Sequence, residues 1–243
     1  MRLGIFSDIH ANLPALEAVL ADIAARHVDG VYCLGDLVGY APFPNEVTER
    51  IRLEQIPTIM GNYDDGVGFD RDECGCAYRE AEERRRGDQS LAWTKAHVTP
   101  DNKAFLRTLA HEIRFEADGR RVLLVHGSPR KINEYLFEDR PLSSFQRLAA
   151  SSNADVIVYG HTHKPYTKFV DDVLFVNVGS VGKPKDGDRR ACYAIVDTLA
   201  PYVEFVRVEY DLPRVTSAIR ASELPADFAT DLETAAAART PGR

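Results

Sequence analysis

The stretch RLGIFSDIHANLPALEAVLADIAARHVDGVYCLGD, Arg2 to Asp36, decides the fold. It opens with a short apolar run that stops at a polar residue. In the segment that follows, Leu16, Val19, Leu20 and Ile23 recur at helical spacing and share one face. Pro14 suits the first turn of that helix. GVYCLGD, residues 30–36, is a second buried strand that again ends in a carboxylate. PNEVTERIRLE (44–54) then reads as a helix and IPTIMGN (56–62) as a third strand. Strand and helix alternate, which is the pattern of an α/β layer fold.

Further along, the texture changes twice. Residues 67–110 are charged and helical in pattern, with Gly87 and Pro100 as breaks. This piece is too short to bury a core of its own and reads as a helical insertion or flap after the third strand. Strands return after Ile113, with hairpin turns expected at Asp118–Gly119 and Asp171–Asp172, so the second half reads as mostly antiparallel. The tail from Pro213 reads as helical and ends in an alanine-rich stretch expected to fray. The whole chain, 1–243, is expected to form one domain.

Composition narrows the partners. The chain has 243 residues, 44% of them hydrophobic, which is enough for a sizeable core. A formal charge of -7 leaves no basic stripe for duplex nucleic acid. No apolar run reaches the roughly 18–20 residues of a membrane span. The opening MRLGIFSDIH lacks the pattern of a secretory leader, so a cytoplasmic location is expected. Cys33 and Cys192 lie in apolar runs and read as buried residues. Cys74 and Cys76 form CGC, too tight for the usual zinc half-site and without a second pair.

The chemistry gathers where strand-like runs end. Asp8 and His10 follow the first run, Asp36 the second and Asn62 the third. His126 ends VLLVHG, and His161 and His163 end VIVYGHTH. In open α/β sheets, ligands bind at the carboxyl ends of strands, so these seven positions can converge. Each has an ordinary reading too. Asp8 could cap a helix, Asp36 could close a turn with Gly35, and His126 could be a hydrogen-bonded core histidine. Together they form a nitrogen and oxygen set without thiolate, suited to Mn, Fe, Zn, Co or Ni. Seven ligands are too many for one tetrahedral zinc but fit two adjacent ions about 3.5–4 Å apart that share a carboxylate. His27, His97 and His111 lie in helical or linking segments and carry no such reading.

SDIH, GDLVG, GNYD, VHG and GHTH stand in the order and approximate spacing of the calcineurin-like metallophosphoesterases, which the chain resembles from Arg2 to about Tyr210. It looks most like their small prokaryotic phosphodiesterase-type members, and NVGSVGKPKDGD resembles that group's glycine-rich segment. The resemblance implies a four-layer α/β/β/α sandwich of two mixed sheets. It implies that Asp8, His10 and His163 hold one divalent metal, that Asn62, His126 and His161 hold another, and that Asp36 bridges them. Mn is the expected metal, with Fe, Zn, Co and Ni compatible. A water shared by the ions would ionise near neutral pH and attack phosphorus in line, with no covalent enzyme intermediate. The expected substrate is a small phosphate ester, a nucleotide among the candidates, with a diester favoured over a monoester.

Many relatives carry a histidine after the asparagine of the third motif, where this chain has Tyr63. A phenol is a mismatched acid at neutral pH, with an unperturbed pKa of about 10. Tyr63 could contact the leaving group, which would favour aryl diesters, or pack against the helical flap. Asn62 is expected to touch substrate as well as metal, and Asn177 and Ser180 to border the pocket. Asp64 reads as a loop-ordering residue. Other classes fit less well. A phosphomonoesterase or protein phosphatase could use the same ligands, and a retromer subunit of this fold is a protein-binding scaffold with a degenerate metal site. Gly182–Lys183 runs into Pro184 and is no P-loop, and VGSVG lacks the first glycine of a serine-hydrolase elbow. The sequence leaves the oligomeric state open.

Overall fold

A computed structural model of the chain describes residues 1–78, 80–200 and 202–236. The alanine-rich end expected to fray runs past residue 236, and that part lies outside the described residues. Among the described residues, nine strands form two sheets. β1 (Arg2–Phe6), β2 (Gly30–Cys33), β8 (Ala191–Asp197) and β9 (Tyr202–Val208) make the first, in the order β2-β1-β8-β9. β3 (Glu112–Ala117), β4 (Arg120–Val125), β5 (Val156–Tyr159), β6 (Tyr166–Val170) and β7 (Val173–Asn177) make the second, in the order β3-β4-β5-β7-β6. Both sheets are mixed, and the two expected hairpins are β3–β4 and β6–β7.

The layers follow from alternation along the strands. Leu3 and Ile5 of β1 face the second sheet and meet Leu124, Val156, Val158 and Val176, so the sheets bury one another's inner faces. Phe6 faces the other way, into a core shared with α1 (Leu13–Ala25) and α2 (Pro44–Leu53). Gly4 lets α1 lie close, because a β-carbon there would already stand 3.4 Å from Ile23. α6 (Leu142–Ser152) covers the far side of the second sheet through Phe145 and Leu148, which pack with Leu123, Ile157 and Phe175. The result is the expected four-layer sandwich. α7 (Leu212–Ala221) and α8 (Asp227–Thr234) pack together at one end with Ala11 and Ala41.

Two local expectations change. IPTIMGN is not a strand: Thr58 makes a single bridge to Cys33, and Ile59 a single bridge to Ala110. Ile59 N–H donates to Cys33 while Met60 N–H donates to Ala110, so the segment divides its bonds and builds no ladder. Gly87 does not break a helix but lies inside α4 (Ala81–His97), where a β-carbon would run into the Tyr78 ring. The second half is mostly antiparallel as expected, around a parallel centre of β4, β5 and β7. Between the first-sheet strands β2 and β8 the chain adds α3 (Asn62–Gly68), α4 and α5 (Pro100–Leu106), whose Val67, Leu91 and Leu106 join the core beneath the first sheet.

Candidate metal centre

β1, β2, β4 and β5 all end on one side of the sandwich, and their following residues meet there. The loops after β1 and β2 are tied together by backbone bonds. Asp8 N–H donates to the Gly35 carbonyl at 3.0 Å, and His10 N–H to the Asp36 carbonyl at 2.9 Å. Asp8, His10, Asp36, His161 and His163 all have left-handed backbone, with φ between 48° and 63°. Such a conformation costs roughly 1–3 kcal/mol for a residue with a side chain and persists only where its surroundings enforce it. Here it turns five polar side chains into one cleft. Two close approaches complete the frame. A β-carbon on Gly61 would strike Asp36, and one on Gly160 would strike Ser7 and Asp8.

Two groups of ligand atoms result. Asp8, His10 and His163 form one, and Asp36, His126 and His161 form the other, with the atoms of each within 4.8 Å of one another. All six residues are buried. His163 Nε2 lies 3.2 Å from both Asp8 Oδ1 and His10 Nε2. His126 Nε2 lies 3.1 Å from Asn62 Oδ1 and 3.4 Å from Asp36 Oδ2. The same Asp36 oxygen is 3.7 Å from His10 Nε2, so it stands between the groups. Six of the seven expected ligands thus fall into the two groups, and Asn62, the first residue of α3, adjoins the second.

The hydrogen bonds behind the ligands say which atoms are free to bind. His10 Nδ1 faces the Val38 carbonyl at 3.1 Å, His126 Nδ1 the Leu34 carbonyl at 2.8 Å, and His163 Nδ1 the Lys183 carbonyl at 2.5 Å. A carbonyl only accepts, so each Nδ1 carries a proton, and each ring when neutral presents a lone pair at Nε2. His10 and His163 therefore aim two lone pairs at each other. Asn62 Nδ2 donates to the Cys74 carbonyl at 3.0 Å and to Cys76 Sγ at 3.3 Å, which turns its oxygen towards His126. Asp8 Oδ1 and His161 Nε2, one in each group, are buried with no hydrogen-bond partner among the described residues. Acceptors that converge without donors fit a cation in each group.

Electrostatics agree. Burial opposes ionisation of Asp8, yet the imidazoles of His163, His126 and His10 around it hold its carboxyl well below the usual range. Asp36 is likewise held down, against burial, by His126 and His10. Burial pushes His10 and His161 down to about 3, so both are neutral and able to ligate near pH 7. His126 goes the other way. Against burial, Asp36 and Asp8 raise it to about 9, so near pH 7 its Nε2 holds a proton that a bound cation would displace.

Some expectations about substrate contacts are corrected. Asn177 donates Nδ2 to the Gly160 carbonyl and to Thr162 Oγ1, and its Oδ1 accepts from Gly179 N–H. Ser180 Oγ donates to the Asp8 carbonyl and accepts from Lys183 N–H. Both are fully buried. Their polar atoms are committed to holding the ligand loops and do not border a pocket. Tyr63 is 1% exposed and packs between Tyr40, at 4.8 Å, and the edge of His10, at 5.5 Å. Its side chain is sealed in the core, where burial raises its phenol well above the ordinary value. What reaches the site is its backbone N–H, which donates to Asp36 Oδ1 at 2.8 Å. Asp64 orders the loops as expected: its carboxylate accepts from the N–H groups of Asp36, Leu37 and Gly61.

Sequence reading missed the cleft beside the centre. It has a volume of about 1730 Å³, and its wall includes Thr162, between the two histidines, with Tyr78, Tyr135, Arg130, Lys131 and Lys185. The Tyr135 ring lies 4.0 Å from that of His161. Lys185 donates its N–H to the His163 carbonyl at 3.3 Å, and no carboxylate among the described residues pairs with its ammonium within 4.0 Å. The KPK run after the glycine-rich segment was the available signal for Lys185; nothing marked Tyr135.

Comparison with known proteins gives consistent matches. The family model described as calcineurin-like phosphoesterase superfamily domain matches residues 1–200. "Uncharacterized protein MJ0912" of Methanocaldococcus jannaschii is 34% identical over 241 residues, covering 92% of this chain and 93% of that one. "Phosphodiesterase YfcE" of Escherichia coli K12 is 28% identical, over 81% of this chain and 88% of its own. The crystal structure of a metallophosphoesterase from Sphaerobacter thermophilus superposes with a TM-score of 0.79 at 31% identity, covering 97% of this chain and 100% of that one.

Proposed function

The chain belongs to the calcineurin-like phosphoesterase superfamily, and we propose that within it the protein is a dinuclear metal-dependent phosphodiesterase. The observation that carries this reading is the Asp36 carboxylate, whose Oδ2 stands 3.7 Å from one imidazole group and 3.4 Å from the other. One anionic oxygen between two sets of inward lone pairs is what a pair of cations requires. Asp8, His10 and His163 would hold the first, and Asn62, His126 and His161 the second, with Asp36 shared. Two divalent ions there, Mn foremost, supply Lewis acidity towards a phosphate and lower the pKa of nearby water towards neutrality.

The chain's own groups do the rest. The carbonyls of Val38, Leu34 and Lys183 fix the imidazoles, so the site is organised before substrate arrives. The Lys185 ammonium, free of a carboxylate partner at the cleft wall, would meet a phosphate oxygen and offset the acidic chain. Asn62 is committed to metal and not to substrate, because its amide nitrogen is used by Cys74 and Cys76. No side-chain acid stands where Tyr63 replaces an imidazole, since its phenol is packed away. That favours leaving groups needing little protonation, such as aryl alcohols, and diesters over alkyl monoesters. The phosphodiesterase name of the Escherichia coli relative supports the same preference. The cleft has room for a substrate of nucleotide size. We take the chain as a single domain with residues 67–110 as its helical flap, acting in the cytoplasm. No helix among the described residues is long and apolar enough to cross a membrane.

The test is metal analysis joined to an ester panel. Two divalent ions per chain and Mn²⁺-dependent cleavage of an aryl diester ahead of an aryl monoester are expected. Faster monoester cleavage would overturn the diesterase assignment. No turnover with any of the five metals would overturn the enzyme reading.

A further inference from the structure

The CGC segment is a feature that the proposed activity does not use. Cys74 and Cys76 are free thiols whose sulfurs lie 2.9 Å apart. Gly75 between them has φ of 68°, a left-handed turn that glycine adopts at little cost and that brings both sulfurs to one side. The turn is held from outside, where Asn133 Nδ2 donates to the Gly75 carbonyl at 2.9 Å. A β-carbon on Gly75 would collide with that amide. Cys74 is buried, whereas Cys76 is only partly buried. Both hydrogen bonds that Asn62 Nδ2 donates end on this segment, one on the Cys74 carbonyl and one on Cys76 Sγ.

We propose that Cys74 and Cys76 form a reversible oxidation site, and that closing their disulfide releases Asn62 from its aim at the second metal group. The oxidant is a low-molecular-weight disulfide. The Cys76 thiolate attacks one of its sulfurs, the S–S bond of the reagent breaks, and one small thiolate leaves. The Cys74 thiolate then attacks Cys76 Sγ, forming the internal bond and expelling the second thiolate. The two cysteines lose two electrons and two protons, and the reagent ends as two thiols. The sulfurs must close from 2.9 Å to about 2.05 Å, which turns Cys76 towards Cys74 and away from Asn62. Asn62 Nδ2 then lacks one of its two anchors, and its oxygen is no longer pinned 3.1 Å from His126. Losing one ordinary hydrogen bond corresponds to about a 5-fold loss, which is the expected fall in affinity of the second cation.

The inference rests on the ligand role given to Asn62, and the test separates the two. The reduced protein is treated with oxidised glutathione, and thiols are counted after denaturation. The count should fall from the four cysteines of the chain to two, with a mass loss of two hydrogens mapped to the peptide holding residues 74 and 76. Mn²⁺ titration calorimetry should then show one of two binding events weakened about 5-fold, and restored by dithiothreitol. The Cys74→Ser/Cys76→Ser double variant should give the same titration before and after oxidant. Four surviving thiols, or a closed disulfide with unchanged Mn²⁺ binding, would overturn the proposal. If the reduced protein takes up no second ion, the metal reading fails, while the thiol count and peptide map still decide whether the pair closes.

Discussion

Gly160→Ala tests the frame of the centre with one methyl group. Gly160 ends the β5 strand and lies against the loop after β1. A β-carbon there would stand 2.7 Å from Ser7 Cβ and would also overlap Ser7 Oγ and Asp8 Oδ2. Ser7 and Asp8 are fully buried and short, so neither can swing aside. Overpacking of this kind costs about 1–3 kcal/mol. The Asp8 oxygen that must move accepts the His161 N–H at 2.9 Å, and a hydrogen bond to a charged acceptor contributes about 1.5–3 kcal/mol. The expected loss is therefore about 2.5–6 kcal/mol, a large share of the roughly 5–15 kcal/mol of a typical domain. Asp8 Oδ1 lies 3.2 Å from His163 Nε2, so displacing Asp8 should also weaken the first cation by at least about 10-fold, the equivalent of 1.4 kcal/mol. Urea unfolding of the metal-free protein reads the first number and Mn²⁺ calorimetry the second. Gly119→Ala is the control. Its β-carbon meets nothing within 4 Å, and its φ of 74° makes it destabilising without touching the centre. Wild-type stability and two intact Mn²⁺ sites in Gly160→Ala would refute the account of how the loops are held.

Three further expectations bear on the same structure. Tyr63→Phe should leave aryl-diester turnover within about 2-fold, because the phenol is packed away from the cleft; a loss beyond about 10-fold would return Tyr63 to the reaction. Lys185→Gln should lower kcat/KM on the diester by about 10–100-fold with metal content unchanged, as expected for one charge-assisted contact, and unaltered kinetics would remove Lys185 from the substrate. The Arg121 side chain and its backbone N–H lower Asp155 from its ordinary value to about 2, through contacts of 2.6 and 2.7 Å. A carboxyl depressed in the folded state lends stability above its unfolded pKa, about 3.9, and loses it as pH falls towards about 2. Arg121→Gln should therefore shrink the part of the acid transition lying between those values, by less than about 1 kcal/mol because the pair is partly solvated. Superimposable acid titrations of the two proteins by circular dichroism would remove the pair from that transition.

What could be read from the sequence, and what could not, divides along physical lines. The β1–α1–β2 unit was legible because each element follows one period. Leu16, Val19 and Ile23 bury one helix face, and the strands are short runs closed by polar residues. IPTIMGN was misread because Ile59 and Met60 are as buried as strand residues. Burial shows in composition, whereas the division of two backbone bonds between Cys33 and Ala110 does not. Gly87 was misread for a related reason. Its meaning lies in the Tyr78 ring against it, and no local pattern reports a ring that arrives from outside the helix.

The site was legible to a different depth. Strand ends gave the ligand residues, because parallel strands deliver their last side chains to one edge whatever the loops do. The sequence could not say which polar atoms the fold would use up. Asn177, Ser180 and Tyr63 lie near the ligands in the fold, yet the first two have their polar atoms committed to loops and the third is sealed in the core. Lys185 stands three residues beyond buried Gly182, near the same loops, and keeps its ammonium free at the cleft. The distinction is one of valence. A side chain can act on substrate only with donors or acceptors left over after folding, and that remainder depends on long-range partners such as Asp8 for Ser180. Asn62 shows both sides at once: its amide nitrogen is spent on the CGC segment, and for that reason its oxygen is aimed at His126. A spacing pattern can nominate such a residue, but the bonds behind it determine whether it binds metal, substrate or only its own loop.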